Sequence, residues 1–135
     1  MIGRLDELNQ LERFYNSSKF EFLTMYGRRR IGKTTILREF AGRHKALFFS
    51  AQEKNDSLNL LDFSKMVQTF FEGSFISSFQ NWEAAFEYIT GKISDKKLVL
   101  IIDEFPFLAE PNPSIKSILQ HTIDHVWKGK NIFLI

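Results

Sequence analysis

An α/β fold, with a parallel sheet covered by helices on both faces, follows from three observations on this chain of 135 residues. Short apolar runs at residues 20–26, 46–51, 98–102 and 131–135 alternate with segments of helical periodicity. A loop bounded by glycines, Gly-Arg-Arg-Arg-Ile-Gly-Lys-Thr-Thr at residues 27–35, separates the first apolar run from a helical one. The run at 98–102, Leu-Val-Leu-Ile-Ile, is continuous rather than alternating and ends in Asp103-Glu104. Strands joined through helices pair in parallel, and a strand buried on both faces reads as an unbroken aliphatic run.

The elements follow in order. Leu5, Leu8, Leu11 and Phe14 recur every third residue among Asp6, Glu7 and Glu12, which predicts an amphipathic helix. An Ile2-Gly3-Arg4 turn enters it, and Asn16-Ser17-Ser18 marks its end. Residues 20–26, Phe-Glu-Phe-Leu-Thr-Met-Tyr, predict a strand stopping against Gly27. Ile36, Leu37 and Phe40 then carry helical spacing from Lys33 to a stop at Gly42. Residues 46–51 predict a short buried strand. A cap at Asp56 or Ser57 opens a helix carrying Leu58, Leu61, Val67, Phe70 and Phe71 and closed by Gly73. Trp82, Ala85, Phe86 and Ile89 share one helical face before Gly91, with their rings in the core rather than stacked on a base. Beyond the strand at 98–102, residues 105–113 predict a loop containing Pro106, Pro111 and Pro113. Asn112-Pro113 starts a helix with Ile115, Ile118, Leu119 and Val126 on one face, running to Gly129. His121 and His125 belong to its surface or are partly buried, since the sequence offers them no third metal ligand. Residues 131–135 begin a last strand.

The loop at 27–35 satisfies the pattern G-x-x-x-x-G-K-[ST], which binds phosphate. A triphosphate crowds negative charge into a small volume, so many donors must approach it without intervening side chains. Gly27 turns the chain off the strand, Gly32 lets the backbone curl under a phosphate, and the helix opening near Lys33 aims its unpaired N–H groups at the anion. Arg28, Arg29, Arg30, Ile31 and Thr35 complete the cradle. Lys33 is expected to reach the β- and γ-phosphates and Thr34 to hold Mg²⁺ through its hydroxyl. Asp103, delivered to the same sheet edge by the strand at 98–102, is expected to share that Mg²⁺, and Glu104 to orient the attacking water. The candidate ligand is therefore a nucleoside triphosphate, ATP or GTP, with Mg²⁺, with Lys33 and Glu104 as catalytic residues and Thr34 and Asp103 as metal ligands.

Composition agrees with one globular domain: 44% hydrophobic and 25% charged residues, with 15 phenylalanines. The absence of cysteine excludes disulfides and thiolate metal sites and suits a cytoplasmic protein. No apolar run reaches the roughly 18 residues of a membrane span, and no signal-like segment opens the chain. Charge is uneven. Residues 1–54 carry 11 Lys/Arg against 6 Asp/Glu, residues 55–135 carry 7 against 10, and all seven arginines lie between Arg4 and Arg43. Positive potential is thus concentrated around the phosphate loop. Duplex nucleic acid is a weaker candidate partner for Arg28, Arg29 and Arg30, whose place inside the loop favours phosphate of a nucleotide.

Ile2-Gly3-Arg4 with Glu7-Leu8, residues 27–34, Phe48-Phe49-Ser50-Ala51 and Ile102-Asp103-Glu104-Phe105-Pro106-Phe107 together resemble prokaryotic ATPases of the AAA+ and STAND-related kind. The likeness spans nearly the whole chain. It implies a three-layer P-loop NTPase core of ASCE, AAA+-like type, incomplete at its C-terminus, with residues 1–135 as the N-terminal part of the ATPase domain. The implied sheet order places the phosphate-loop strand next to the final strand and the Asp103 strand beyond it. In such proteins Ile2, Gly3 and Arg4 would lie against adenine, the Lys33 and Asp103 segments would be the Walker A and Walker B motifs, and sensor, arginine finger, lid and effector would follow later. The resemblance also admits a slow, nucleotide-gated switch controlling an attached protein or DNA-processing effector. An unpaired edge on the phosphate-loop strand would invite self-association.

Overall fold

The computed structural model describes residues 2–17, 19–23 and 32–135, with side chains from Asp6 onward. Gly27, Arg28, Arg29, Arg30 and Ile31, and the side chains of Ile2, Gly3 and Arg4, lie outside the described residues. The elements are α1 (Ile2–Tyr15), β1 (Glu21–Phe22), α2 (Lys33–His44), β2 (Leu47–Ser50), α3 (Asp56–Glu72), α4 (Trp82–Thr90), β3 (Leu98–Asp103), α5 (Pro106–Ala109), α6 (Ser114–His125), a 3₁₀ turn (Trp127–Gly129) and β4 (Ile132–Leu134). All strand pairs are parallel, in the order β1-β4-β3-β2. That is the order the sequence resemblance implied, with β4 between the phosphate-loop strand and the Asp103 strand.

Alternation along the strands divides the core in two. Val99 and Ile101 of β3 and Phe133 of β4 join Leu8, Leu11, Ile36, Leu37 and Phe40 of α1 and α2 on one face. Leu100 of β3, Ile132 and Leu134 of β4, and Leu47 and Phe49 of β2 join α3, α4 and α6 on the other. Strands β3 and β4 are therefore apolar on both sides, which is why residues 98–102 show no polar interruption. Register puts Leu100 between Leu47 and Leu134, so one row of aliphatic side chains crosses three strands. Burying each such side chain contributes roughly 1.5–3 kcal/mol against the unfolded chain.

Several elements differ from their sequence expectation. Ile2-Gly3-Arg4 is not a turn preceding the first helix; it lies within α1, which begins at Ile2. Helix α2 does not stop at Gly42 but continues to His44, with Lys45 taking the left-handed turn at φ 52°. The extension is held from the side: His44 stacks on Tyr15 at 3.7 Å between ring centroids and meets Glu12 through Nε2 at 2.7 Å. Asn55, rather than Asp56 or Ser57, caps α3 by accepting the Leu58 N–H. The buried face of α3 is Leu60, Phe63 and Val67 with Asn59, Ser64 and Gln68, while Leu58 and Phe70 are 44% and 42% exposed. Polar residues turn inward there because each finds partners. Asn59 pairs with the Gln52 backbone, Ser64 accepts the Phe79 N–H, and Gln68 clamps Ile76 and Ser77. The expected loop at 105–113 contains the short helix α5, started by Pro106 at its first position and anchored by buried Leu108. Helix α6 ends at His125, so Val126 is exposed and Trp127 is buried, its Nε1–H donating to Thr90 Oγ1 at 2.8 Å.

Trp127 thus closes the space between α4, α6 and β4. Trp127→Ala should cost about 3–5 kcal/mol of unfolding free energy, whereas Leu58→Ala on the exposed face of α3 should stay within about 0.5 kcal/mol. Urea midpoints at unchanged slope measure both.

Candidate nucleotide site

Two chain segments meet at the C-terminal edge of the sheet. Parallel order sends β3 up through the core, so its last residue, Asp103, emerges where helices begin. Helix α2 begins beside it. Gly32 stands before the helix at φ 85°, a conformation that glycine adopts without steric cost, and its carbonyl accepts the Ile36 N–H at 2.9 Å. Lys33 and Thr34 follow in the first turn, while Ile36, Leu37 and Phe40 pin the helix to β3 and β4 from below.

The two segments are in direct contact. Thr34 Oγ1 donates to Asp103 Oδ2 at 2.9 Å, and Lys33 Nζ lies 3.3 Å from Asp103 Oδ1. The Glu104 N–H donates to Asp103 Oδ1 at 3.1 Å, so both carboxylate oxygens are engaged. The Asp103 side chain is only 2% exposed, against 14% for Lys33. Its backbone is fixed as well: the Ala51 N–H donates to the Asp103 carbonyl at 3.0 Å. Glu104, half-buried, adopts φ 61°, left-handed backbone that costs a non-glycine residue about 1 kcal/mol or more. The following turn holds it there, because Phe107 donates to the Glu104 carbonyl and Leu108 to that of Phe105. Thr35 is exposed on the first turn of α2 and no described contact joins it to Asp103. His121 and His125 lie apart from this site on exposed positions of α6, their rings 4.4 Å apart.

A cavity of about 790 Å³ opens at this edge, bordered by Lys33, Asp103 and Glu104. Its size is that of small-molecule clefts, which combine apolar walls with a few convergent polar groups. Phe105, Pro113 and Lys116 also line it. Lys116 carried no signal in the sequence, since a lone lysine on a helix is ordinary. The sequence marks Asp56 only as a helix start, yet it accepts from Trp82 Nε1 at 2.9 Å and Asn112 Nδ2 at 3.3 Å and so ties α3 and α4 to the segment after Glu104.

The donor set is hard oxygen. A threonine hydroxyl and an aspartate carboxylate within 2.9 Å of one another suit Mg²⁺, which takes one or two protein oxygens and fills its shell with water and substrate phosphate. A soft or nitrogen-preferring metal would find neither thiolate nor imidazole here.

A family model described as an ATPase domain predominantly from Archaea matches residues 1–135. An uncharacterized protein of Methanocaldococcus jannaschii is 32% identical over 134 residues, 99% of this chain and 28% of that protein. An uncharacterized ATP-binding protein of the same organism is 41% identical over 44 residues, 33% of this chain and 75% of that protein. The chain thus spans about a quarter of the longer relative's length. Among the described residues, no helix is long and apolar enough to cross a membrane.

Because Asp103 is buried, removing its cation is costly. Lys33→Ala should destabilise the fold, and a double-mutant cycle with Asp103→Asn should give a coupling of about 1–3 kcal/mol by chemical denaturation.

Proposed function

The chain belongs to the family of ATPase domains found predominantly in Archaea, and from that premise we propose that it binds ATP at the Lys33–Thr34–Asp103 site and hydrolyses it with Mg²⁺. The observation that carries the proposal is the contact of Lys33 and Thr34 with Asp103, 69 residues away from Thr34, at the strand edge where ligands of open α/β sheets bind. The reading makes residues 27–34 a Walker A segment and Asp103-Glu104 a Walker B segment. Its remaining contacts, Gly27, Arg28, Arg29, Arg30 and Ile31 around the phosphates and Ile2, Gly3 and Arg4 toward adenine, are proposals from the sequence.

Phosphoryl transfer of this kind asks the protein for position and charge rather than covalent chemistry. Bound Mg²⁺ would neutralise charge on the β- and γ-phosphates. Thr34 and Asp103 hold their oxygens toward that position. Lys33 donates to phosphate oxygens as charge builds on them in the transition state. Glu104 aligns a water and accepts its proton as the P–O bond to the leaving group breaks. The left-handed backbone at Glu104 aims its side chain independently of the extended strand that delivers Asp103.

A slow nucleotide-gated switch is the second reading, favoured by the placement of all seven arginines at or before Arg43. No arginine in residues 44–135 can act as a finger, a group worth about 10³–10⁵ in rate. Effectors, DNA contacts and self-association through β1 belong to this reading of a longer protein. Comparing single-turnover hydrolysis with nucleotide affinity separates the two.

Mg-ATP at 100 times its Kd should raise stability by about 2.7 kcal/mol through mass action. Lys33→Ala should abolish that shift. Glu104→Gln should keep it while losing about 10²-fold or more in turnover. Equal ATP affinity in wild type and Lys33→Ala contradicts the assignment.

A further inference from the structure

The cavity at the strand edge is bordered by both helical layers of the fold. Lys33 enters it from α2, which packs on the sheet face of Val99, Ile101 and Phe133, whereas Lys116 enters it from α6, whose Ile115 and Leu119 belong to the opposite core. Pro113, Lys116 and Leu119, three residues apart, form one stripe of the cavity wall. Ile115 is fully buried, so the backbone beneath Lys116 is fixed. A lysine in such a stripe can lay its stem along the apolar wall and keep its ammonium in the opening. Lys33 is held on Asp103, while Lys116 forms no ion pair among the described residues. The other charged borders of the cavity are Asp103, Glu104 and Glu110. A terminal phosphate therefore meets repulsion from the wall formed by residues 104–119 unless a cation stands there, and Lys116 is the one Lys or Arg in that stretch.

We propose that Lys116 is a specificity-determining residue of this cavity, meeting the terminal phosphate from the helical layer opposite Lys33 and so favouring a nucleoside triphosphate over the diphosphate. The proposal rests on the nucleotide-site reading above and goes beyond it by giving a role to a residue of α6, outside the segments at 27–35 and 98–104. The two lysines differ by position. Lys33 stands beside Asp103 at the start of α2 and serves any nucleotide whose β-phosphate reaches the strand edge. Lys116 stands on the other layer, so a diphosphate, shorter by one phosphoryl group, leaves it without a partner. Loss of the terminal phosphate then removes one charge-assisted hydrogen bond and restores the repulsion-free spacing of Glu104 and Glu110 from the ligand. Because Lys116 is exposed, solvent screens the contact, which sets a preference between ligands rather than an absolute requirement.

The test is calorimetric titration of the chain in magnesium chloride with a non-hydrolysable ATP analogue and with ADP, for wild type, Lys116→Gln, Lys116→Arg and Lys65→Gln. Lys65, exposed on α3 and outside the residues lining the cavity, controls for the loss of one positive charge. Lys116→Gln should weaken binding of the analogue about fivefold or more and leave ADP within about twofold of wild type. Lys116→Arg and Lys65→Gln should bind both ligands within about twofold of wild type. No loss in Lys116→Gln, an equal loss for analogue and ADP, or a loss that Lys65→Gln or Lys116→Arg reproduces overturns the proposal and leaves the site reading intact. Wild type that binds neither ligand overturns both. Should Lys116→Gln fail to fold by its thermal melt, Lys116→Met, which keeps the apolar stem, is held to the same criteria.

Discussion

A carboxylate placed almost out of reach of water must be answered by donors from elsewhere in the chain, and at Asp103 the answer comes from α2. Lys33 and Thr34 supply a cation and a hydroxyl to its two oxygens, and the Glu104 N–H supplies a third donor. Such a group is costly to bury unless it is paired. The start of α2 is therefore tied to the end of β3 by the energetics of one side chain. Whatever binds at this edge meets residues whose spacing is already set before it arrives.

The sheet enforces the same geometry from beneath. Side chains of β3 alternate between two cores, so the strand can neither slide nor rotate without moving apolar surface into water. On one side, α2 rests on Val99, Ile101 and Phe133 and is joined to α1 through Glu12, His44 and Tyr15. On the other, α3 and α4 seat Trp82 and Phe63 against Phe49 of β2, and Asp56 links both helices to Asn112 beyond α5. Precision at the strand edge thus derives from packing on both faces. The site itself needs few residues because the scaffold has already paid most of the ordering entropy.

Features encoded by local chemistry were legible in the sequence. The unbroken aliphatic run at 98–102 announced a doubly covered strand, and its acidic end taken with Gly32-Lys33-Thr34 announced that Lys33, Thr34 and Asp103 would meet. Gly73 closed α3 in the left-handed conformation its residue type suggested. Features that depend on distant partners were not legible. Asn59, Ser64 and Gln68 look like surface residues until Gln52, Phe79 and the turn at Ile76–Ser77 are seen to satisfy them, and without that knowledge the buried face of α3 is misjudged. Gly42 resembles a helix stop, yet His44 packs on Tyr15 and the helix continues past it. Pro106 signals a loop and the first residue of a helix equally well, and only burial of Leu108 decides between them.

The most direct measurement places a paramagnetic probe at the site. With Mn²⁺ and ATP added to isotopically labelled protein, the amide resonances of Lys33, Thr34, Asp103 and Glu104 should broaden first and together, since the proposed site has them surround one cation. Broadening that spares all four and gathers instead around His121 and His125 on α6 would contradict the account.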